Sequence, residues 1–167
     1  FILTFPNRIL VLLKKTIMTT LNLPPAPLKI TKKENKPYVF DILRKKYIAL
    51  TPEEWVRQHF IHYLINHLGY PTGLLSNEVQ IQLNNTIKRC DSVLYGTDFR
   101  PRMIIEYKAP EIEITSEVFS QITRYNMVLK VDYLIVSNGL KHYCCHVDYN
   151  TGKCTFLQDI PHYTRLK

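Results

Sequence analysis

Apolar residues recur along the chain with two periods, and these periods predict alternating helices and strands. Thr51 at an N-cap, Pro52 in the first turn and Glu54 closing a capping box mark a helix start. Apolar residues then recur at helical spacing until Gly69, so the helix is expected to run from Pro52 to about Leu68. Its predicted core stripe is Val56, Phe60, Tyr63, Leu64 and His67.

The following segments read mainly as strands. Three apolar or alternating segments, separated by polar turn residues, predict sequential and mostly antiparallel strands at Glu78–Leu83, Cys90–Tyr95 and Met103–Lys108. A second helix is expected from a cap at Thr115 to about Leu129. Three further strands are expected at Asp132–Val136, His142–Tyr149 and Cys154–Leu157. This order predicts an α/β or α+β fold in which helices pack on one mixed β-sheet in a single domain.

The first 37 residues differ in composition from the rest. Met18 is the first methionine and the first possible translation start, so residues 1–17 are either not native or part of the natural protein. The prolines at 24, 25 and 27 exclude a helix and predict an extended arm that leads into the domain without joining its core. We therefore predict an N-terminal arm over residues 1–37 and one domain over residues 38–167.

Composition and charge narrow the functional classes. The 22 basic and 14 acidic side chains give a net charge of +8, which favours a polyanionic partner, and nucleic acid leads among these. No glycine-rich phosphate loop precedes a lysine, which excludes a P-loop ATPase. The apolar run at Ile9–Leu13 is too short to span a bilayer, so no membrane partner is expected. The four cysteines lack paired spacing and are interpreted as reduced thiols of a cytoplasmic protein.

Two carboxylates and a lysine form the candidate catalytic group. Residues two apart in a strand share a face, so Glu106 and Lys108 are expected to project together. If the preceding strand pairs as a hairpin, Asp91 lies near Glu106. Asp91 could instead end a strand, and Glu106 with Lys108 could be a surface ion pair of under about 1 kcal/mol. The apolar run before Glu106 favours a buried carboxylate, which needs a compensating partner.

This residue set suits metal-assisted hydrolysis of a phosphodiester bond. Mg²⁺ prefers oxygen ligands and keeps waters and substrate phosphate in its remaining positions. Asp91 and Glu106 are predicted to hold this Mg²⁺ ion, and Mn²⁺ could take its place. Lys108 is predicted to position the attacking water or to stabilise the developing negative charge.

An ordered set of motifs resembles the PD-(D/E)XK nuclease superfamily, in particular the N-terminal nuclease domain of type I restriction enzyme R proteins. The resemblance covers roughly residues 38–149 and implies a restriction-endonuclease-like fold and a stand-alone short form of that domain. The motifs that carry it are Thr51-Pro52-Glu53-Glu54-Trp55, Arg89-Cys90-Asp91, Glu106-Tyr107-Lys108-Ala109-Pro110, the helix with Gln121 and Tyr125, and Ser137-Asn138-Gly139. Cys90 stands where the name of the motif has proline.

The resemblance also implies roles for individual residues. Asp91 and Glu106 correspond to metal ligands and Lys108 to the catalytic lysine, while Glu54 corresponds to an assisting acid, although a capping box also explains it. Gln121 corresponds to a residue that lines the site, and Tyr125 either contacts nucleic acid or packs in the core. The basic residues beside the motif strands, predicted to contact DNA phosphates or else to be solvated, are Lys88, Arg89, Arg100 and Arg102.

These observations lead to a primary hypothesis and two rivals. The primary one is an Mg²⁺-dependent DNA endonuclease of a restriction system, acting as a homodimer or with partner subunits. The first rival is a non-catalytic DNA-binding or assembly module with the same fold. The second is a small α/β interaction protein without a nucleic-acid role.

Overall fold

Two β-sheets and two α-helices make up the part of the chain that the computed structural model describes, residues 19–166. A three-stranded sheet comes first in the chain, and a six-stranded sheet follows the first helix. The elements in chain order are β1 (Ile30–Lys33), β2 (Lys36–Asp41), β3 (Lys46–Ala49), α1 (Pro52–Asn66), β4 (Leu75–Leu83), β5 (Thr86–Tyr95), β6 (Pro101–Tyr107), α2 (Ser116–Leu129), β7 (Tyr133–Ser137), β8 (His142–Asp148) and β9 (Lys153–Leu157).

The six-stranded sheet has the order β4-β5-β6-β7-β8-β9. Its neighbours pair antiparallel except β6 and β7, which run parallel because α2 carries the chain back between them. The predicted mixed sheet with sequential antiparallel strands β4, β5 and β6 is therefore confirmed.

The two helices cover opposite faces of this sheet. Ile105 packs in the same buried cluster as Phe60 of α1, whereas its neighbour Ile104 packs in the cluster that contains Ile122 of α2. Successive strand residues point to opposite faces, so these two clusters lie on the two sides of β6. Glu106 follows the same alternation and faces α2.

Helix α1 is buried on more than its predicted stripe. Val56, Phe60 and Leu64 are fully buried as expected, but His67 is exposed because the helix ends at Asn66. The side of α1 that carries polar residues is buried too, and it includes Glu54, Arg57, Gln58, His59 and His62. The spacing of apolar residues cannot predict that this polar side of the helix is buried, because its burial depends on polar partners from elsewhere in the chain.

The three-stranded sheet was not predicted. Strands β1 and β2 pair with each other on the two sides of the turn at Glu34 and Asn35, and β2 includes position 37, the predicted end of the arm. The domain boundary after residue 37 stays a prediction. The turn between them places Glu34 and Asn35 at positive φ (48° and 62°), which is the conformation of a tight hairpin turn. Each of these strands is short and contains at least one lysine, so none shows a sustained alternation of apolar and polar residues.

Residues 19–29 are extended as expected, but their predicted lack of core contact is wrong. Leu21 and Leu23 pack against the buried cluster on the α1 face. The amide of Asn22 donates to the carbonyl oxygen of Gly139 at 2.8 Å. A side chain at Gly139 would meet Leu21 at 2.7 Å, so the close approach of the arm requires glycine at that turn.

The interpretation of all four cysteines as reduced thiols is wrong for two of them. Cys145 on β8 and Cys154 on β9 form a disulfide, with Cα atoms 6.1 Å apart. Adjacent antiparallel strands bring diagonal neighbours within the usual span of a disulfide. Cys90 and Cys144 are free and buried.

Within residues 19–166, no helix is both long and apolar enough to cross a membrane.

Asp41 joins the three-stranded sheet to the rest of the protein. Its side chain is fully buried at the end of β2 and accepts hydrogen bonds from the amides of Leu43 and Arg44, at 2.8 Å each. Arg44 Nε and Asn77 Nδ2 donate to the other carboxylate oxygen at 2.6 and 2.9 Å. Burial alone would raise the pKa of Asp41, but these hydrogen bonds outweigh it and lower the pKa.

We expect Asp41→Asn to lower the free energy of unfolding by about 2–4 kcal/mol near neutral pH, because an amide nitrogen would face donor groups and Arg44 would lose its buried partner. Because the pKa of Asp41 lies below its ordinary 3.8, its stabilising effect is present above that pH and is lost as the pH falls through the folded-state value. The gap between wild type and variant should therefore close in acid. Urea unfolding near neutral pH and in acid measures both effects.

Asp148 supplies the matched control, because its carboxylate also accepts turn amides, those of Asn150 and Thr151, but is only partly buried. Asp148→Asn should change stability far less than Asp41→Asn. Equal losses for the two variants would show that burial of Asp41 is not the cause.

Candidate active site

The pairing between β5 and β6 ends where the predicted carboxylates begin. The last regular pair at this end is Ser92 with Ile105, and Asp91 and Glu106 are the next residues of the two strands. The side chain of Asp91 turns between the strands, and its Oδ2 accepts a hydrogen bond from the Tyr107 amide at 2.8 Å. The carboxylate of Asp91 thus lies against the backbone residue that follows Glu106, and the two predicted ligands are neighbours.

Glu106 is the most deeply buried carboxylate of the site, with only 3% of its surface exposed. Its Oε1 accepts hydrogen bonds from Lys108 Nζ at 2.8 Å and from Gln121 Nε2 at 2.7 Å. Its Oε2 is buried with no hydrogen-bond partner among the described residues. Burial and the adjacent charge of Asp91 raise the pKa of Glu106 to about 7, even though Lys108 opposes the rise.

Lys108 and Gln121 hold the other side of Glu106. Lys108 Nζ lies 3.5 Å from Gln121 Oε1, so Gln121 of helix α2 contacts both Glu106 and Lys108. Burial alone would lower the pKa of Lys108, but the hydrogen bond and charge of Glu106 outweigh it and raise the pKa. Gln121 Nε2 also donates to the hydroxyl of Tyr125 at 3.3 Å. Tyr125 is 8% exposed and packs in the α2-face cluster, so its hydroxyl lines the site while its ring fills the core.

Arg57 is the central cation of the site, and sequence analysis missed it. Its guanidinium is 3% exposed and bridges Glu54, Glu78 and Asp91 at 3.0, 2.6 and 2.8 Å. Burial alone would lower its pKa, but these three carboxylates raise it, so it stays charged. The spacing of Glu54 and Arg57, three residues apart, is the one local signal, but it is equally typical of an exposed helical ion pair and does not reveal the contacts with Glu78 and Asp91.

The two acids at the start of α1, Glu53 and Glu54, make different contacts at the site. The amide of Glu54 is capped by Thr51 Oγ1 at 3.1 Å, as the capping box predicts. The carboxylate of Glu54 instead binds Arg57, Gln58 and Arg44, and Arg57 links it to Asp91. The carboxylate of Glu53 lies 3.7 Å from the Arg57 guanidinium, and burial and the charge of Asp91 raise its pKa. Glu53 was not predicted as a site residue.

The four predicted DNA-contacting residues fall into two places. Lys88 and Arg89 are exposed on β5, next to the site, and Arg89 also binds Glu78 at 3.1 Å. Lys88 lines a cavity of about 230 Å³ together with Gln121, Arg124 and Tyr125.

Arg102 lies four residues before Glu106 on β6, about 13 Å away along the strand. Arg102 and Arg100 both lie near Asp98, and Arg102 also binds Asp132. Contact of these residues with DNA stays a prediction.

The donor set at Asp91 and Glu106 fits one hard cation. Two carboxylates with raised pKa values flank each other, and Glu106 Oε2 is a buried anionic oxygen without a partner. A divalent cation would satisfy that oxygen and neutralise the pair. Across residues 19–166, no three His, Cys, Asp or Glu side chains are grouped closely enough to hold a metal ion together. Water and substrate phosphate would therefore have to complete the coordination.

Comparisons with known proteins were made on the whole chain. A family profile described as "Type I restriction enzyme R protein N terminus (HSDR_N)" matches residues 52–161. The fold is similar to a solved structure described as the fragment structure of a putative HsdR subunit of a type I restriction enzyme from Vibrio vulnificus YJ016, with a TM-score of 0.51 and 20% sequence identity. That match covers 68% of this chain and 24% of the other, so the chain spans about a quarter of that fragment. No curated protein matches the chain.

Proposed function

The chain belongs to the family of type I restriction enzyme R protein N termini, and from this premise we propose that it is a metal-dependent endonuclease that hydrolyses phosphodiester bonds in DNA. The single observation that carries the proposal is Glu106, a buried carboxylate on the strand next to Asp91, with Oε1 bound to Lys108 and Oε2 without a hydrogen-bond partner among residues 19–166. This arrangement is consistent with the PD-(D/E)XK type of active site.

In this proposal Asp91 and Glu106 hold Mg²⁺, or Mn²⁺ in its place. When bound, the ion supplies Lewis acidity towards the phosphoryl oxygen and lowers the pKa of a coordinated water. Arg57 and the Tyr107 amide fix the Asp91 carboxylate at 2.8 Å each, so this ligand is held in place before a cation arrives. Gln121 fixes Glu106 in the same way from α2.

Lys108 is the proposed catalytic group for charge stabilisation. Its ammonium is held 2.8 Å from Glu106 Oε1 and keeps 20% of its side chain exposed, so it can reach both the buried carboxylate and a substrate at the surface. A protonated lysine at this place can orient water or stabilise the charge that develops on phosphate. Lys88 and Arg89 are the proposed phosphate contacts closest to the site.

Assembly is also part of the proposal. One such site cuts one strand, so double-strand cleavage would need a homodimer or partner subunits of a restriction system. The family relation makes partner subunits the preferred arrangement, in keeping with a cytoplasmic location. A non-catalytic DNA-binding or assembly module is the alternative that the following test separates.

We expect the chain to nick supercoiled plasmid in Mg²⁺ or Mn²⁺, to lose this activity in EDTA, and to lose it in the Glu106→Ala variant because the ligand pair is broken. Agarose gel assays at one fixed salt concentration measure the conversion. Binding of plasmid without nicking by a folded wild-type protein in both metals would favour the alternative. Equal nicking by wild type and Glu106→Ala would place the activity elsewhere.

A further inference from the structure

The three-stranded sheet presents an outer face on which aromatic rings alternate with lysines. The inner face is set by the row Ile30, Val39 and Ile48, which pair across the three strands and turn towards the protein. The neighbouring rows therefore point outwards, because successive strand residues alternate between faces. The outward residues are Lys29, Thr31, Lys33, Lys36, Tyr38, Phe40, Tyr47 and Ala49.

The rings on this face lie next to each other and next to a cation. Phe40 and Tyr47 are directly paired across β2 and β3, with ring centroids 5.3 Å apart in an edge contact. The ammonium of Lys29 lies 5.8 Å from the Phe40 ring centroid. Tyr47 leaves 48% of its surface exposed, so its ring is accessible to a ligand.

The charge on this face is positive and unpaired. Among residues 19–166, none of Lys29, Lys33 and Lys36 forms an ion pair with an acidic side chain. Lys33 and Lys36 lie opposite each other at the hairpin end, where two like charges repel. An anionic partner would relieve that repulsion.

From these observations we propose that the outer face of the β1–β3 sheet binds single-stranded DNA, with bases stacked on Phe40, Tyr47 and Tyr38 and phosphates held by Lys29, Lys33 and Lys36. Flat sheets with exposed rings and flanking cations bind single strands in this way, because every base offers a face for stacking. A duplex hides those base faces. The choice of DNA over RNA rests on the proposed function, whereas single-strand binding does not.

The face lies outside the part of the chain that the family profile matches, residues 52–161, so it adds a function that family membership does not supply. It is nevertheless attached to the candidate active site. Asp41 at the end of β2 binds Arg44, and Arg44 Nη2 reaches Glu54 at 3.2 Å. A strand bound on this sheet would therefore be linked to the site through Asp41, Arg44 and Glu54.

Fluorescence anisotropy with the complete chain in EDTA tests the proposal, using a labelled oligothymidine of about 20 nucleotides, the matching duplex and an oligouridine of equal length. We expect the single DNA strand to bind more tightly than the duplex. Tyr47→Ala should weaken single-strand binding about 5-fold or more, whereas Tyr47→Phe, which keeps the ring, should bind as wild type does. The joint variant Lys29→Gln, Lys33→Gln, Lys36→Gln should reduce the salt slope of log affinity by about 2.

Phe156→Ala is the matched control, because Phe156 is 60% exposed on β9 of the other sheet. It should not change binding. Unchanged affinity in folded Tyr47→Ala, or an unchanged salt slope in the lysine variant, would overturn the proposal, and the lysine variant decides the matter if Tyr47→Ala does not fold. Tighter binding of oligouridine would overturn the assignment to DNA. Because EDTA removes the metal, none of these results depends on whether the protein cleaves DNA.

Discussion

Replacing Lys108 by methionine is expected to lower the rate of DNA nicking by about 10²- to 10³-fold while leaving the protein folded. Methionine keeps much of the aliphatic stem but removes the ammonium that lies 2.8 Å from Glu106 Oε1. Two effects combine in the variant. Developing charge on phosphate loses its stabilising cation, and Glu106 loses the neighbour that lowers its pKa.

The pH dependence of the variant separates the two effects. Without Lys108, the pKa of Glu106 rises further, so a proton competes more strongly with the metal ion for this carboxylate at neutral pH. Raising the pH removes that proton and should recover this part of the loss, whereas the missing ammonium cannot be recovered. Single-turnover nicking over a pH series measures both. Lys141→Met, at an exposed lysine elsewhere, should leave the rate unchanged. A Lys108→Met rate within a few-fold of wild type would refute the proposed role.

Replacing Arg57 by methionine is expected to lower the free energy of unfolding by about 3–5 kcal/mol. The guanidinium is 3% exposed and binds Glu54, Glu78 and Asp91 within 3.0 Å. Its removal takes a cation from each of these carboxylates, and only Glu54 and Glu78 keep a second arginine, Arg44 and Arg89. Urea unfolding measures the loss, with Arg89→Met as the control, because Arg89 binds the same Glu78 but is 64% exposed.

The Arg57→Met deficit should depend on pH in a defined direction. Burial raises the pKa of Asp91, and without the opposing charge of Arg57 this pKa rises further above that of the unfolded chain. The folded variant then binds more protons than the unfolded chain, so its stability falls as the pH rises. The deficit relative to wild type should be largest near pH 8 and smaller near pH 5. A deficit that is constant with pH would indicate lost packing instead of lost charge.

The sequence predicts the six-stranded sheet and both helices well because local signals specify them. Thr51 and Pro52 start α1 where expected, and the order of segments predicts a mixed sheet. Asp91, Glu106 and Lys108 are brought together, since strand alternation and hairpin pairing are enough to relate them, and Gln121 joins them as the family resemblance implies. Their catalytic and metal-binding roles stay predictions.

The parts that were missed depend on distant partners. Arg57 is recognisable only when Glu78 and Asp91, which are 21 and 34 residues away, come into contact with it. Glu53 was missed because the capping motif singles out Glu54 and does not show which other side chains of the first helical turn lie near Arg57. The β1–β3 sheet was hidden by short strands without a sustained alternation and by a turn at Glu34 and Asn35 that contains no glycine.

The position of the β1–β3 sheet also bears on how the protein can evolve. Its outward side chains do not contribute to the contacts at Asp91 and Glu106, and the buried links at its edge run through Asp41, Arg44 and Asn77. Substitutions on the outer face are therefore free of constraint from the carboxylate pair, provided that these three residues remain. Selection can change which polymer the surface favours while the residues around Glu106 stay as they are.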